Sequence, residues 1–104
     1  MRFIAMNNFQ VAADQAEQFE ARWRKRRSYL ADVPGFEHFQ LLRGEEKDGL
    51  IPYASHSTWA SKQAFMDWTQ SDSFVQAHRG DPLPKGMVQG PPHLACFEVV
   101  DVPD

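Results

Sequence analysis

Apolar residues recur along this chain first at every second position and then at helical spacing, and each change of period predicts an element. Residues 2 to 11 alternate as a strand, with Phe3, Ala5, Asn7, Phe9 and Val11 on one face and Arg2, Ile4, Met6, Asn8 and Gln10 on the other. Asp14, with Glu17 three residues later, predicts a capping-box start to a helix whose apolar stripe is Ala12, Ala16, Phe19, Trp23 and Leu30. Pro34 and Gly35 stop that unit, and strands follow over 36–43 and 50–59, joined by a turn through GEEKDG. Ser61 and Ser71 suit the N-caps of two short helices, one carrying Ala64, Phe65 and Trp68, the other Phe74, Ala77 and His78 on its apolar face. Gly80, Pro82, Pro84 and Gly86 turn 80–92 into a loop, either closing over a bound group or serving as a plain connector, before a last strand from Leu94 to Val100. The order βαββαβ defines an α+β class of the ferredoxin-like type, a four-stranded antiparallel sheet with helices on one face, in a single domain over 1–104. Its other face is left bare. Two such sheets would cover each other in a homodimer, giving a dimeric α/β barrel.

Composition strengthens that last expectation. Hydrophobic residues make up 42% of the 104 positions and include eight Phe and three Trp, more than a monomer of this size easily hides. The net charge of -3 argues against a nucleic-acid binder, although five of the eleven basic residues fall between Arg22 and Arg27. Cys96 is the single cysteine, so no internal disulfide forms; within LACFEVV it reads as a buried, inert thiol suited to a reducing compartment. The apolar opening is broken at Asn7, too early for a signal peptide, and no run is long enough for a membrane span. A cytoplasmic protein is expected.

The segment SKQAFMDWTQSDSFVQAH carries the candidate chemistry. His78 falls at a helix end, one turn after Phe74 and before the Gly/Pro loop. A neutral imidazole there suits haem iron or another transition metal, whereas a histidine in a last helical turn also simply complements the dipole. Trp68, on the residues alone, reads as an indole between helix and sheet. Asn7 stands out on an apolar strand face, where an unpartnered amide costs about 1–3 kcal/mol. It either bonds backbone or water, or donates to a ligand in a cavity. Arg22 and Arg26, four apart and flanking Trp23, could offer guanidinium groups to haem propionates at the mouth of a cleft, while Arg24, Lys25 and Arg27 read as a solvated face. His38, on a strand expected to be sheet-buried or at a dimer interface, and His93, before the final strand, are weaker ligands by type, and His56 weaker still.

MRFIAMNNF, VPGFEHFQLLRG and SKQAFMDWTQSDSFVQAH together resemble the IsdG-type haem-degrading monooxygenases of the antibiotic biosynthesis monooxygenase (ABM) superfamily. The resemblance covers nearly the whole chain and is weakest from about Met87 onward. It implies that His78 is the axial ligand of haem iron, that Asn7 is a hydrogen-bond donor on the open iron face, and that Trp68 crowds and ruffles the macrocycle. Haem would then be both substrate and cofactor, consumed with O2 to release iron and a bilin-like open-chain tetrapyrrole. Electrons would come from an external reductase or reductant, because the chain has no Gly-rich dinucleotide fingerprint. Two other classes use the same cleft: a cofactor-independent ABM-type monooxygenase acting on a quinol, which leaves His78 unliganded, and a non-enzymatic haem-binding or storage protein.

Overall fold

The alternating strand β1 (Phe3–Ala12) takes an interior place in a four-stranded antiparallel sheet, with β2 (Phe36–Arg43), β3 (Leu50–Trp59) and β4 (His93–Glu98) in the order β2-β3-β1-β4. Helix α1 (Ala16–Lys25) follows β1 through a 3-10 turn at Ala13–Gln15, and α2 (Lys62–Thr69) and α3 (Asp72–Ala77) follow β3. This is the expected ferredoxin-like βαββαβ order. The computed structural model describes residues 1–25, 30–77 and 83–103.

Two aromatic clusters divide the helix-covered face of the sheet. Under α2, Phe3, Ala5, Leu30, Trp59 and Phe65 are buried together, with Phe39 and Trp68 packed against them. Under α1 the buried set is Phe9, Val11, Phe19, Tyr53 and Met87, with Trp23 packed alongside. Phe19 is fully buried, a burial worth roughly 1.5–3 kcal/mol relative to exposure. Ser61 caps α2 by accepting from the backbone N–H of Ala64 at 3.1 Å, and Ser71 accepts from that of Phe74 at 3.2 Å, as the sequence predicts for both serines. The GEEKDG turn closes with Asp48 and Gly49 at φ of 54° and 80°.

Several expectations are corrected. No capping box starts α1: Ala12 stands before the 3-10 turn without a side-chain cap, and Asp14 and Glu17 occupy first turns, where they complement the dipole. Cys96 is exposed, because β4 is an edge strand with a neighbour on one side only; partial desolvation still raises its thiol pKa. The strand β4 covers His93–Glu98 rather than Leu94 to Val100, and beyond its end Val99 still donates its N–H to Arg2 O at 2.8 Å. Residues 80–82 lie outside the described residues. In the rest of the 80–92 segment Met87 is 1% exposed in the α1 cluster, and the strand edge is pinned by Ala12 N–H to Met87 O at 2.9 Å and Gln89 N–H to Gln10 O at 2.8 Å.

The other sheet face carries Ile4, Met6, Ala54, His56 and Thr58, with Leu42 and Phe97 exposed beside them. His38 and His93 belong to this face through their pairing with Thr58 and Asn8, and both are exposed. They are therefore remote from the helix-covered core.

Candidate active site

Register fixes what surrounds Asn7. Across the sheet it is opposite Ser55 on β3 and Leu94 on β4, and Ser55 is opposite Leu41 on β2. The adjacent row toward α2 holds Phe39, Ser57, Ala5 and Cys96; the row toward α1 holds Arg43, Tyr53 and Phe9. Ala5, Ser55 and Ser57 thus set small side chains beside Asn7 on β1 and β3, between the two aromatic clusters. Asn7 is half-buried there rather than fully enclosed, and among the described residues nothing hydrogen-bonds its side-chain amide. Its neighbour Asn8, on the opposite face, donates instead to the backbone oxygens of Met6 and His93.

A tryptophan stands on each side of this row. Trp23, on the last turn of α1, lies 5.8 Å from Phe39 in a stacked arrangement and 6.1 Å edge-on from Phe9, ring centre to ring centre. Since Phe9 and Phe39 are on β1 and β2, the indole bridges diagonally across β3 at the level of Ser55, one strand from Asn7. Trp68, near the end of α2, packs 5.2 Å from Trp59 and 4.9 Å from Phe74. The structure therefore brings Asn7 into a seam that has Trp23 in one flanking cluster and Trp68 in the other. Arg22 shares the last turn of α1 and is half-buried. His78 and Arg26 lie outside the described residues.

Sequence reasoning missed a polar cluster on the α1 side. Tyr53, 2% exposed, donates its hydroxyl to Oε2 of Glu20 at 2.5 Å; Arg43 donates to the same oxygen at 2.8 Å, and Arg24 to Oε1 at 3.1 Å. The Tyr53 hydroxyl holds the Glu20 carboxyl below its ordinary pKa, against the opposing effect of desolvation, with the charges of Arg43 and Arg24 adding to the lowering. Burial, followed by the bond to Glu20, raises the phenol of Tyr53. An open cavity of about 500 Å³ adjoins the cluster, lined by Glu20, Trp23, Phe39, Leu41, Arg43 and Tyr53 among others; neither Asn7 nor Trp68 reaches it. A buried tyrosine needs a partner for its hydroxyl, which was the available signal, but the partner is 33 positions away.

The four-stranded antiparallel sheet with helices on one face defines the class, a ferredoxin-like α+β protein. Within that class the chain belongs to the antibiotic biosynthesis monooxygenase family, whose sequence profile matches residues 2–80. It is 30% identical over 105 residues to the heme oxygenase (mycobilin-producing) of Mycobacterium tuberculosis, covering 96% of this chain and 90% of that one. It is 29% identical over 79 residues to a heme oxygenase (staphylobilin-producing) of Staphylococcus aureus, covering 76% and 73% respectively. Among solved structures, the heme-degrader MhuD from M. tuberculosis with two hemes bound in its active site superposes with a TM-score of 0.72 at 29% identity, covering 97% of this chain and 99% of that one.

Proposed function

We propose that this protein is a haem-degrading monooxygenase that opens the macrocycle and releases iron and a bilin-like tetrapyrrole. The observation that carries the reading is the half-buried amide of Asn7 beside the small side chains of Ala5, Ser55 and Ser57, between two aromatic clusters, in a chain related over nearly its whole length to heme oxygenases. The residues fit the group. A flat apolar ring suits aromatic walls with few polar groups between them, and the strip beside Asn7 carries small side chains with Trp23 in one flanking cluster and Trp68 in the other.

Haem, once bound, supplies both the iron at which O2 is activated and the ring that is oxidised. In this reading His78 would hold the haem iron. Asn7 would donate a hydrogen bond within the site, where a neutral donor orients a polar species without adding charge. Trp68 crowds the ring plane, and Trp23 closes the seam on the α1 side. Arg22 and Arg26 pair with the propionates, as guanidinium groups suit carboxylates. Electrons come in this reading from an external reductase or small reductant, as the sequence has no Gly-rich dinucleotide fingerprint. The half-exposed apolar face bearing Ile4, Met6, Leu42 and Phe97 supports a homodimer in which two sheets cover each other. No described helix is long and apolar enough to cross a membrane, and the reading assigns the reaction to the cytoplasm.

Haemin added to the purified protein tests this directly. A shifted Soret band, lost in His78→Ala, is expected, followed by bleaching of that band and release of iron when ascorbate and oxygen are supplied. Asn7→Ala should retain the band and slow the bleaching by about a hundredfold or more, the lower end of what a positioned polar donor contributes. An unshifted haemin spectrum with the wild-type protein would refute the proposal; a ligated haem that survives reductant and oxygen would reduce it to haem storage.

A further inference from the structure

The haem reading makes no use of the Glu20–Tyr53–Arg43 cluster, and we propose that Tyr53 is a redox-active tyrosine, with Glu20 as its proton acceptor, that drains oxidising equivalents from Trp23 to the solvent-open cavity. A phenol gives up an electron readily only if its proton leaves with it, because the oxidised phenol is a far stronger acid than any carboxylic acid. That coupling needs a base within hydrogen-bond reach, about 2.6–3.2 Å or closer. The hydroxyl of Tyr53 meets Oε2 of Glu20 at 2.5 Å in a pocket where the phenol is only 2% exposed. Arg43 and Arg24 hold both carboxylate oxygens in place, and their charges add to the Tyr53 hydroxyl in lowering the pKa of Glu20. A buried tyrosine whose role is packing is equally well served by a backbone carbonyl; a carboxylate adds a place for the proton.

The electron has a path. The ring of Phe19 is 4.9 Å from Tyr53 and 6.3 Å from Trp23, centre to centre, and Trp23 and Tyr53 also line the same cavity. Trp23 is the α1-side wall of the candidate site. In the step proposed, Trp23 that has lost one electron regains it from Tyr53, recovering from water any proton it has shed, while the phenolic proton moves to Oε2 of Glu20. The products are intact Trp23, a neutral Tyr53 phenoxyl radical and protonated Glu20. A one-electron reductant entering the cavity then reduces the phenoxyl radical, and Glu20 returns the proton. Only the phenolic O–H bond breaks and re-forms. The inference rests on the proposed function for one element alone, the source of the oxidising equivalent, which is haem and dioxygen chemistry that misfires before attacking the ring.

Pulse radiolysis of the haem-free protein with azide radicals, which oxidise tryptophan, tests the transfer without haem. The chain has two tyrosines, so a Tyr29→Phe background leaves Tyr53 alone. The tryptophan-radical absorption is expected to decay as phenoxyl absorption grows, at a rate independent of protein and buffer concentration. Tyr53→Phe should abolish the growth, and Trp23→Phe should slow it at least about tenfold. Glu20→Gln should slow it at least about tenfold and make it rise with buffer base, as expected when a positioned proton acceptor is lost. An unchanged rate in Glu20→Gln, or no phenoxyl signal with Glu20 and Tyr53 intact, would overturn the proposal. A rate that climbs with buffer base in the protein with Glu20 intact would overturn it too, with no variant at that position needed. Failure to take up haem would refute the function proposed above and leave azide-driven transfer standing; loss of the transfer would do the reverse.

Discussion

Alanine at Gly35 tests how closely α2, and Trp68 with it, is held against the sheet. Gly35 adopts φ +81°, and a Cβ added there would lie 2.4 Å from the Cβ of Ala64 on α2. Ordinary carbon contacts are about 3.5–4.0 Å. The left-handed backbone costs a side-chain-bearing residue roughly 1–2 kcal/mol, and overpacking against a neighbour that cannot rotate away costs about 1–3 kcal/mol more. Relief would require α2 to lift from the corner where Ala60 N–H donates to Gly35 O at 2.7 Å. The expected total is therefore about 2–5 kcal/mol. Gly49→Ala supplies the control, because Gly49 has nearly the same φ, +80°, with nothing within 4 Å of its added Cβ. It should lose only about 1–2 kcal/mol. The difference between the variants isolates the steric part, about 1–3 kcal/mol, and at about 4–8 °C per kcal/mol it lowers the melting temperature of Gly35→Ala by roughly 4–24 °C below that of Gly49→Ala. Combining Gly35→Ala with Ala64→Gly should restore the steric part, less the cost of about 1 kcal/mol for a glycine inside a helix. Equal melting temperatures for the two single variants would refute the close approach of α2.

Phe19→Ala should destabilise by about 3–5 kcal/mol in urea unfolding, because Phe19 is fully buried and its ring adjoins Phe9, Trp23 and Tyr53; a loss under 1 kcal/mol would contradict the packing of α1. Tyr53→Phe should cost about 1.5–3 kcal/mol, the worth of a hydrogen bond to a charged group. The pH dependence of Glu20 has a definite sign. Its folded pKa is lowered, chiefly by the Tyr53 hydroxyl, so its stabilisation is present above the unfolded value of about 4.3 and is lost as pH falls through the folded value. The stability gap between wild type and Glu20→Gln should accordingly be widest near neutrality and shrink below about pH 4. The phenol of Tyr53 acts at the other limb: its pKa is raised, first by burial, so stability falls as pH climbs above about 10, and Tyr53→Phe should remove that loss.

Asn7 is legible in the sequence because it breaks a pattern. A polar residue at a position of period two, between Ala5 and Phe9, contradicts the apolar face it belongs to, and such contradictions concentrate at sites. Its surroundings are not legible, since Ser55 and Ser57 are unremarkable in a strand until pairing places them beside it. A slip of one residue between β1 and β3 would put His56 opposite Asn7 in place of Ser55 and turn every side chain of β3 to the other face. Register is settled by the large residues at the two ends, Phe3 opposite Trp59 and Phe9 opposite Tyr53. Those four also anchor the two clusters on which α2 and α1 rest.

The same dependence on tertiary order explains both the misreading of Cys96 and the missed cluster at Glu20. LACFEVV has the composition of an interior strand, and only the order β2-β3-β1-β4 reveals that it lies at an edge. Glu20 sits beside Phe19 in a basic helix, where a carboxylate reads as one half of an ordinary surface pair with Arg24. Its decisive partners are on β2 and β3, brought there because Arg43, Tyr53 and Phe9 occupy one row beneath α1. The row that seats the helix thus also fixes, through Glu20, the turn of α1 that presents Trp23 to the row of Asn7. Stability of the α1 cluster and the shape of the candidate site are therefore coupled: a variant that frees Glu20 should disturb the near-ultraviolet signal of Trp23 before it unfolds the protein.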